Sequence, residues 1–163
     1  MKENIGKIVV GIVCIISIIS IFLIRKRIVM TRGMRNKNPF NMNRGSVKWI
    51  GEIQGDDPRF ASFETMDLGI RAGLINLYNV YFSKGLTLRE IIFKYAPPSD
   101  NNDSEAYVRA VVNKTGINAW EVPAKSEWLK VAWAILYHEN GLNIASVNDL
   151  NEIVKSFRLV SYT

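Results

Sequence analysis

The sequence predicts a mainly helical α+β protein: an N-terminal membrane-spanning helix, then one helical domain with a small β-lobe near its start. Three observations carry this. Residues 8–24 form an uncharged apolar run, helix-capping signals recur from Thr65 onward, and alternation of apolar and polar residues is confined to residues 46–63. With 163 residues, 48% of them apolar and 22% charged, the chain has room for one span and one domain. That composition excludes a disordered or collagenous chain and a disulfide scaffold. The single cysteine, Cys14, lies within the apolar run and has no intramolecular partner.

The run Ile8 to Ile24 contains no polar stripe to give a helix a solvent face, which argues against a buried core helix. As a helix it reaches close to the hydrocarbon thickness, with Lys7 and Arg25 snorkelling outward. It leads straight into Arg25-Lys26-Arg27 without a small-x-small cleavage site, so an uncleaved anchor is favoured over a signal peptide. Residues 1–32 are therefore read as anchor and basic flank, and residues 33–163 as the domain. The basic flank after the run places that domain on the cytoplasmic side of a single-pass membrane protein. The first 32 residues hold six Lys/Arg against Glu3, which leaves the domain only +1 of the whole chain's +6. A domain without a basic excess lacks the footprint of nucleic-acid binding.

Thr31 to Gly45, rich in Asn, Arg and Gly, reads as loop. Ser46 to Phe63 alternates around Val47, Trp49, Ile53, Phe60 and Phe63, broken by Gly55-Asp56-Asp57-Pro58, as a short hairpin or irregular lobe would. Thr65 caps a helix from Met66 to about Phe82, stopped by Gly85. Thr87-x-x-Glu90 is a capping box for a helix ending at Tyr95, before Pro97-Pro98. Asp103 or Ser104 opens the next, closed by Gly116. Pro123 or Ser126 begins a helix over Glu127 to Glu139, with Gly141 beyond it. Ser146-x-x-Asp149 caps the last, to about Phe157.

One histidine, one cysteine and no phosphate-binding glycine loop leave no ordinary zinc site and no cofactor motif. Acid chemistry remains, and Glu139 is its most informative carboxylate. Eleven residues beyond Trp128 a helix returns to within roughly 20° of the same direction. Glu139 thus continues the stripe of Trp128, Val131/Ala132 and Ile135 and points inward. There, at the negative end of the helix dipole, the surroundings favour a proton donor. The alternative is a helix-ending Glu that hydrogen-bonds the next loop. Glu52, Glu64, Asp56 and Asp57, in or beside the β-lobe, are either solvated turn residues or a second carboxylate across a cleft. Tyr78, Tyr107 and Trp133 read as core residues, and His138, about 80° off the stripe, as a packed or surface histidine. Trp49 and Trp120 fall in loops, where stacking on a sugar face is open to them.

Several motifs resemble a known group. Arg32-Gly33-Met34-Arg35-Asn36-Lys37-Asn38-Pro39-Phe40-Asn41, Trp49-Ile50-Gly51-Glu52, Arg59-Phe60, Gly69-Ile70-Arg71-Ala72, Tyr95-Ala96-Pro97-Pro98 and His138-Glu139-Asn140-Gly141 resemble small phage proteins of the virion structural kind. More distantly, the same segments resemble the lysozyme-like glucosaminidases of autolysins and flagellar muramidases. In those, a catalytic Glu ends a helix ahead of Asn-x-Phe-Gly and Trp-x-Gly segments. Here Asn38-Pro39-Phe40-Asn41 departs at its last position, and the Glu-bearing helix would come from the C-terminal side, as in a circular permutation.

The resemblance implies a lysozyme-like domain without cofactor or metal, a general acid at Glu139, and Glu52 as second carboxylate for a hydrolase. It also implies substrate contacts from Asn38 and Phe40, beside Trp49 and Trp120. The expected function is cleavage of peptidoglycan glycan strands, as a lytic transglycosylase or glycoside hydrolase, during genome entry or lysis. Expected partners are peptidoglycan, a lipid membrane of virion or host, and other virion proteins. The alternative is a non-enzymatic structural protein of the virion membrane.

Overall fold

The computed structural model describes residues 30–159. From Thr31 onward the described residues make up one compact unit. Its described elements run α1 (Arg32–Arg35), β1 (Glu52–Ile53), β2 (Ser62–Phe63), α2 (Met66–Val80), α3 (Leu88–Tyr95), α4 (Ser104–Thr115), α5 (Trp128–Asn140) and α6 (Val147–Ser156), with single 3-10 turns at Phe82–Lys84, Pro98–Asp100 and Lys125–Glu127.

The expected fold class needs correction. Among the described residues no helix is long and apolar enough to cross a membrane. The longest, α2, has 15 residues and carries Asp67 and Arg71. It spans only about 22 Å at 1.5 Å per residue, against a hydrocarbon core of about 30 Å. The structure is mainly helical with a small two-stranded sheet. Among the described residues it does not present the transmembrane helix that was expected to lead the domain. The run at 8–24, on which the expected span and membrane localisation rested, lies outside the described residues.

The helices begin and end where local chemistry directs them. Thr65 Oγ1 accepts the Leu68 N–H. Thr87 with Glu90 and Ser146 with Asp149 form reciprocal capping boxes. Asp103 caps α4 through the Ala106 N–H. Gly116 and Gly141 close α4 and α5 in the left-handed conformation, at φ 71° and 67°. α2 stops at Val80, two residues before the expected end, and a 3-10 turn carries the chain to Gly85. α1 falls inside the stretch read as loop, capped by Thr31.

α5 is the central helix. Val131, Ala132, Ala134, Ile135 and Leu136 are all fully buried, and α1, α2, α4 and α6 pack around it. The β-lobe is smaller than the alternation suggested. Glu52 pairs with Phe63 and Ile53 with Ser62, and an isolated bridge joins Asn43 to Phe60. Val47, Ile50 and Ile53 point to solvent, so only part of the alternating stretch has a core to face.

Asp57 ties α1 to this lobe. Its carboxylate accepts Arg32 Nε at 2.6 Å and Arg32 Nη2 at 2.9 Å, Asn36 Nδ2 at 2.9 Å, and the N–H groups of Arg59 and Phe60. The Arg32 bonds first, then the backbone N–H of Phe60, hold this carboxyl far below the ordinary Asp range. A depressed folded value gives stability that is present above the unfolded value, near 3.9, and lost as pH falls toward the folded one. Acid unfolding should therefore steepen below about pH 4, and Asp57→Asn should flatten that acid limb. A chemical-denaturation series against pH checks this; an unchanged acid limb in the variant would rule it out.

Candidate functional site

Glu139 occupies the last turn of α5, half-buried as its place on the Trp128 stripe requires. Asn41 Nδ2 donates to its Oε2 at 2.7 Å, and the Tyr107 hydroxyl donates to its Oε1 at 2.8 Å. The first donor comes from the loop after α1, the second from α4. Tyr107 is 3% exposed. Burial, and then the charge of Glu139, push its phenol well above the ordinary tyrosine range, so it remains a donor across neutral pH.

The inner face of His138 stacks on Tyr107, with ring centroids 3.7 Å apart and planes 22° apart. Partial desolvation there holds the imidazole below its ordinary range, and the neighbouring Glu139 charge opposes the shift only in part. His138 is consequently neutral at pH 7 and is no cationic partner for the carboxyl. Tyr95 donates to the Phe40 carbonyl at 2.5 Å and closes the same corner from α3.

Glu139 lines a cleft of about 520 Å³, together with Asn41, Asn43, Trp49, Phe60, Asn76, Tyr81 and Tyr95. This volume lies in the ordinary range for small-ligand sites. The walls combine aromatic rings with side-chain amides, a chemistry that suits a ligand with apolar faces and many hydroxyl or amide edges. Asp100 also lines the cleft, and Arg59 Nη2 bonds it at 2.7 Å while Arg59 Nε donates to Asn43.

The residues singled out from sequence divide between the cleft and its scaffold. Glu139 and Trp49 line the cleft, and Phe40 borders it while remaining 2% exposed in the core. Asn38 is fully buried. Its Nδ2 donates to the Met42 and Ala61 carbonyls, both at 2.9 Å, and its Oδ1 accepts the Met42 N–H at 3.0 Å. It shapes the loop that delivers Asn41 and offers no free edge to a ligand. Glu52 is not among the lining residues; its buried carboxylate accepts the Trp49 N–H and the Lys48 ammonium, both at 3.1 Å. Trp120 stands 72% exposed beside Arg89, away from the cleft lining. Glu64 and Asp56 are exposed. Among the described residues no three His, Cys, Asp or Glu side chains converge to hold a metal ion.

Two contributors escape a sequence reading. Tyr107 carries the spacing of a core residue and is one, so nothing in the pattern marks its hydroxyl as the partner of a residue 32 positions on. Asn41 is visible only as a departure from a glycine. Its φ of 48° explains both, since Asn is one of the few residues besides glycine that tolerate this conformation.

Asn140, next to Glu139, anchors the helix end. Its Nδ2 donates to the Pro39 and Leu136 carbonyls at 2.8 Å, and its Oδ1 accepts the Thr31 hydroxyl at 2.9 Å. The run 138–141 and the segment 31–41 are thus one structural unit, although about a hundred residues separate them.

No family model matches the chain. Protein P5 of Pseudoalteromonas phage PM2 is 36% identical to it over 125 residues, which cover 74% of this chain and 78% of that protein. At this identity and coverage, the chain belongs to the family of that phage protein.

Proposed function

We propose that this protein is a virion component that cleaves the glycan strands of peptidoglycan, with Glu139 as its acid and then its base. Membership of a phage protein family supports the virion setting. The chemical part rests on one observation: a half-buried carboxyl, held by two neutral donors, faces a cleft walled by aromatic rings and amides.

In the reaction, Glu139 gives its proton to the glycosidic oxygen as the C1–O4 bond breaks. The resulting carboxylate then takes the proton of the muramic 6-hydroxyl, whose oxygen bonds to C1. Both strands of the former bond are accounted for without water, and the product is a 1,6-anhydro end. This transglycosylase route requires one carboxyl. A hydrolase of the usual kind places a second carboxylate across the scissile bond. Of the two carboxyls lining the cleft, Asp100 is bonded to Arg59, and Glu52 is absent from the lining. The one-carboxyl route therefore fits the cleft better.

Binding is tested on the full chain with an N-acetylglucosamine oligomer, following side-chain resonances by NMR. The Trp49 indole N–H and the Asn43 and Asn76 amides should shift together on titration, and Trp49→Ala should weaken binding by about tenfold, the scale of one aromatic stacking contact. Shifts confined to exposed Trp120, or no shifts at millimolar sugar, would remove the saccharide from this cleft.

A further inference from the structure

The amide of Asn41 is satisfied on one side only. Nδ2 donates to Glu139 Oε2, while Oδ1 is buried and receives no hydrogen bond. The surroundings of that oxygen are unusual. A methyl group placed on Gly33 would stand 3.1 Å from Asn41 Oδ1, 3.0 Å from the Asn38 carbonyl oxygen and 3.0 Å from Asn140 Oδ1. Three oxygens therefore gather on one face of Gly33, and all three are acceptors. The Asn38 carbonyl has the Asn41 N–H at 2.9 Å, and Asn140 Oδ1 has the Thr31 hydroxyl. Asn41 Oδ1 has no donor.

We infer that Asn41 is a proton-linked positioning residue for Glu139: its amide donates to the ionised carboxyl and turns over to accept from the protonated one. A half-turn about the Cβ–Cγ bond exchanges Oδ1 and Nδ2 without moving the backbone. In the turned state the Glu139 Oε2–H donates to Asn41 Oδ1. Nδ2 then takes the place of Oδ1 beside Gly33, on the face that the Asn38 carbonyl oxygen and Asn140 Oδ1 also border. Each protonation state of Glu139 thus has its own amide orientation, and the carboxyl stays in one place through both. The inference rests on the reading of Glu139 as acid and then base, which takes the carboxyl through both states in each turnover.

Several ionisable side chains surround this carboxyl. α4 presents Tyr107, α3 presents Tyr95 and the turn after α2 presents Tyr81, all pushed above the ordinary tyrosine range by burial first. His138 lies beside it on α5. The loop 38–42 contributes no ionisable side chain, and Arg59 and Asp100 in the cleft lining are paired with each other.

The test is a pH titration of the full chain carrying 15N-labelled Asn and 13C-labelled Glu, read by NMR. The two side-chain N–H resonances of Asn41 should move with the same midpoint as the Glu139 Cδ resonance. In Glu139→Gln, Tyr107 donates to the Gln carbonyl oxygen, which leaves the Gln NH₂ to donate to Asn41 Oδ1. The Asn41 resonances should then stop titrating and remain near their acid-limit positions. Asn41→Gly, which keeps the left-handed backbone, should alter the pH profile of glycan release while leaving the melting transition in place.

Asn41 resonances that ignore the Glu139 midpoint, or that titrate unchanged in Glu139→Gln, would overturn the inference. The two claims fail separately. A coupled titration in a chain that releases no glycan refutes the catalytic reading alone, and Glu139-dependent release without a coupled titration refutes this inference alone.

Discussion

On the proposed mechanism, Glu139→Gln should lower glycan release by about 10²–10⁴-fold, the usual contribution of a positioned acid–base group. The substitution is nearly isosteric, and the surrounding bonds explain why the loss reports proton transfer rather than folding. The Gln carbonyl oxygen still accepts from Tyr107, and its NH₂ still reaches the Asn41 amide, so both contacts that hold Glu139 keep a partner. The melting temperature should stay within about 2 °C of the parent, as for a change well under 1 kcal/mol. Thermal melts and release assays on the same preparation separate the two effects. A variant that melts normally and retains release would show that the cleft's chemistry does not pass through this carboxyl.

Gly69→Ala carries the largest expected loss of stability. An alanine Cβ there would fall 1.8 Å from the Lys37 carbonyl oxygen and 2.9 Å from its carbon, with the Phe63 ring at 3.2 Å. α2 packs at this point directly against backbone, and a carbonyl between α1 and the Asn38 hub cannot swing aside as a side-chain tip can. At Gly73 the added methyl would meet Phe40, with Cδ2 at 2.1 Å, Cγ at 2.6 Å and Cβ at 2.9 Å; these are side-chain atoms, whereas the closest atom at Gly69 is backbone. Overpacking of this kind costs about 3 kcal/mol or more at Gly69, and less at Gly73. A loss of 3 kcal/mol lowers the melting temperature by roughly 10 °C in a domain of this size. Because the displaced segment also carries Asn41, release should fall with stability. Denaturant curves for both variants check the order; a Gly69→Ala chain within about 1 kcal/mol of the parent, small beside the usual cost of overpacking, would mean that α2 does not press on this loop.

How far the sequence discloses these features depends on the distance over which each is determined. The capping pairs Thr87/Glu90 and Ser146/Asp149 act within four residues, and the helices they start lie where those residues place them. The inward direction of Glu139 follows from helical periodicity, another local rule, and its half-burial agrees. α1 was hidden because a four-residue helix offers too few positions to show a period, and its Arg, Gly and Asn content reads as loop. The partners of Glu139 were hidden for a different reason: Asn41 lies 98 residues away and Tyr107 lies 32. Glu52 shows the converse: its carboxylate bonds three and four residues back, yet it is a strand residue with a buried side chain and not the solvated turn residue that local pattern suggested.

The most direct measurement is on the product. Purified sacculi would be incubated with the full chain and with Glu139→Gln, and the soluble material identified by mass spectrometry. The proposal predicts glycan fragments ending in 1,6-anhydromuramic residues with the parent chain, and a loss of these fragments with the variant. Sacculi that release no soluble glycan to the folded parent chain, or release it equally to the variant, would contradict it.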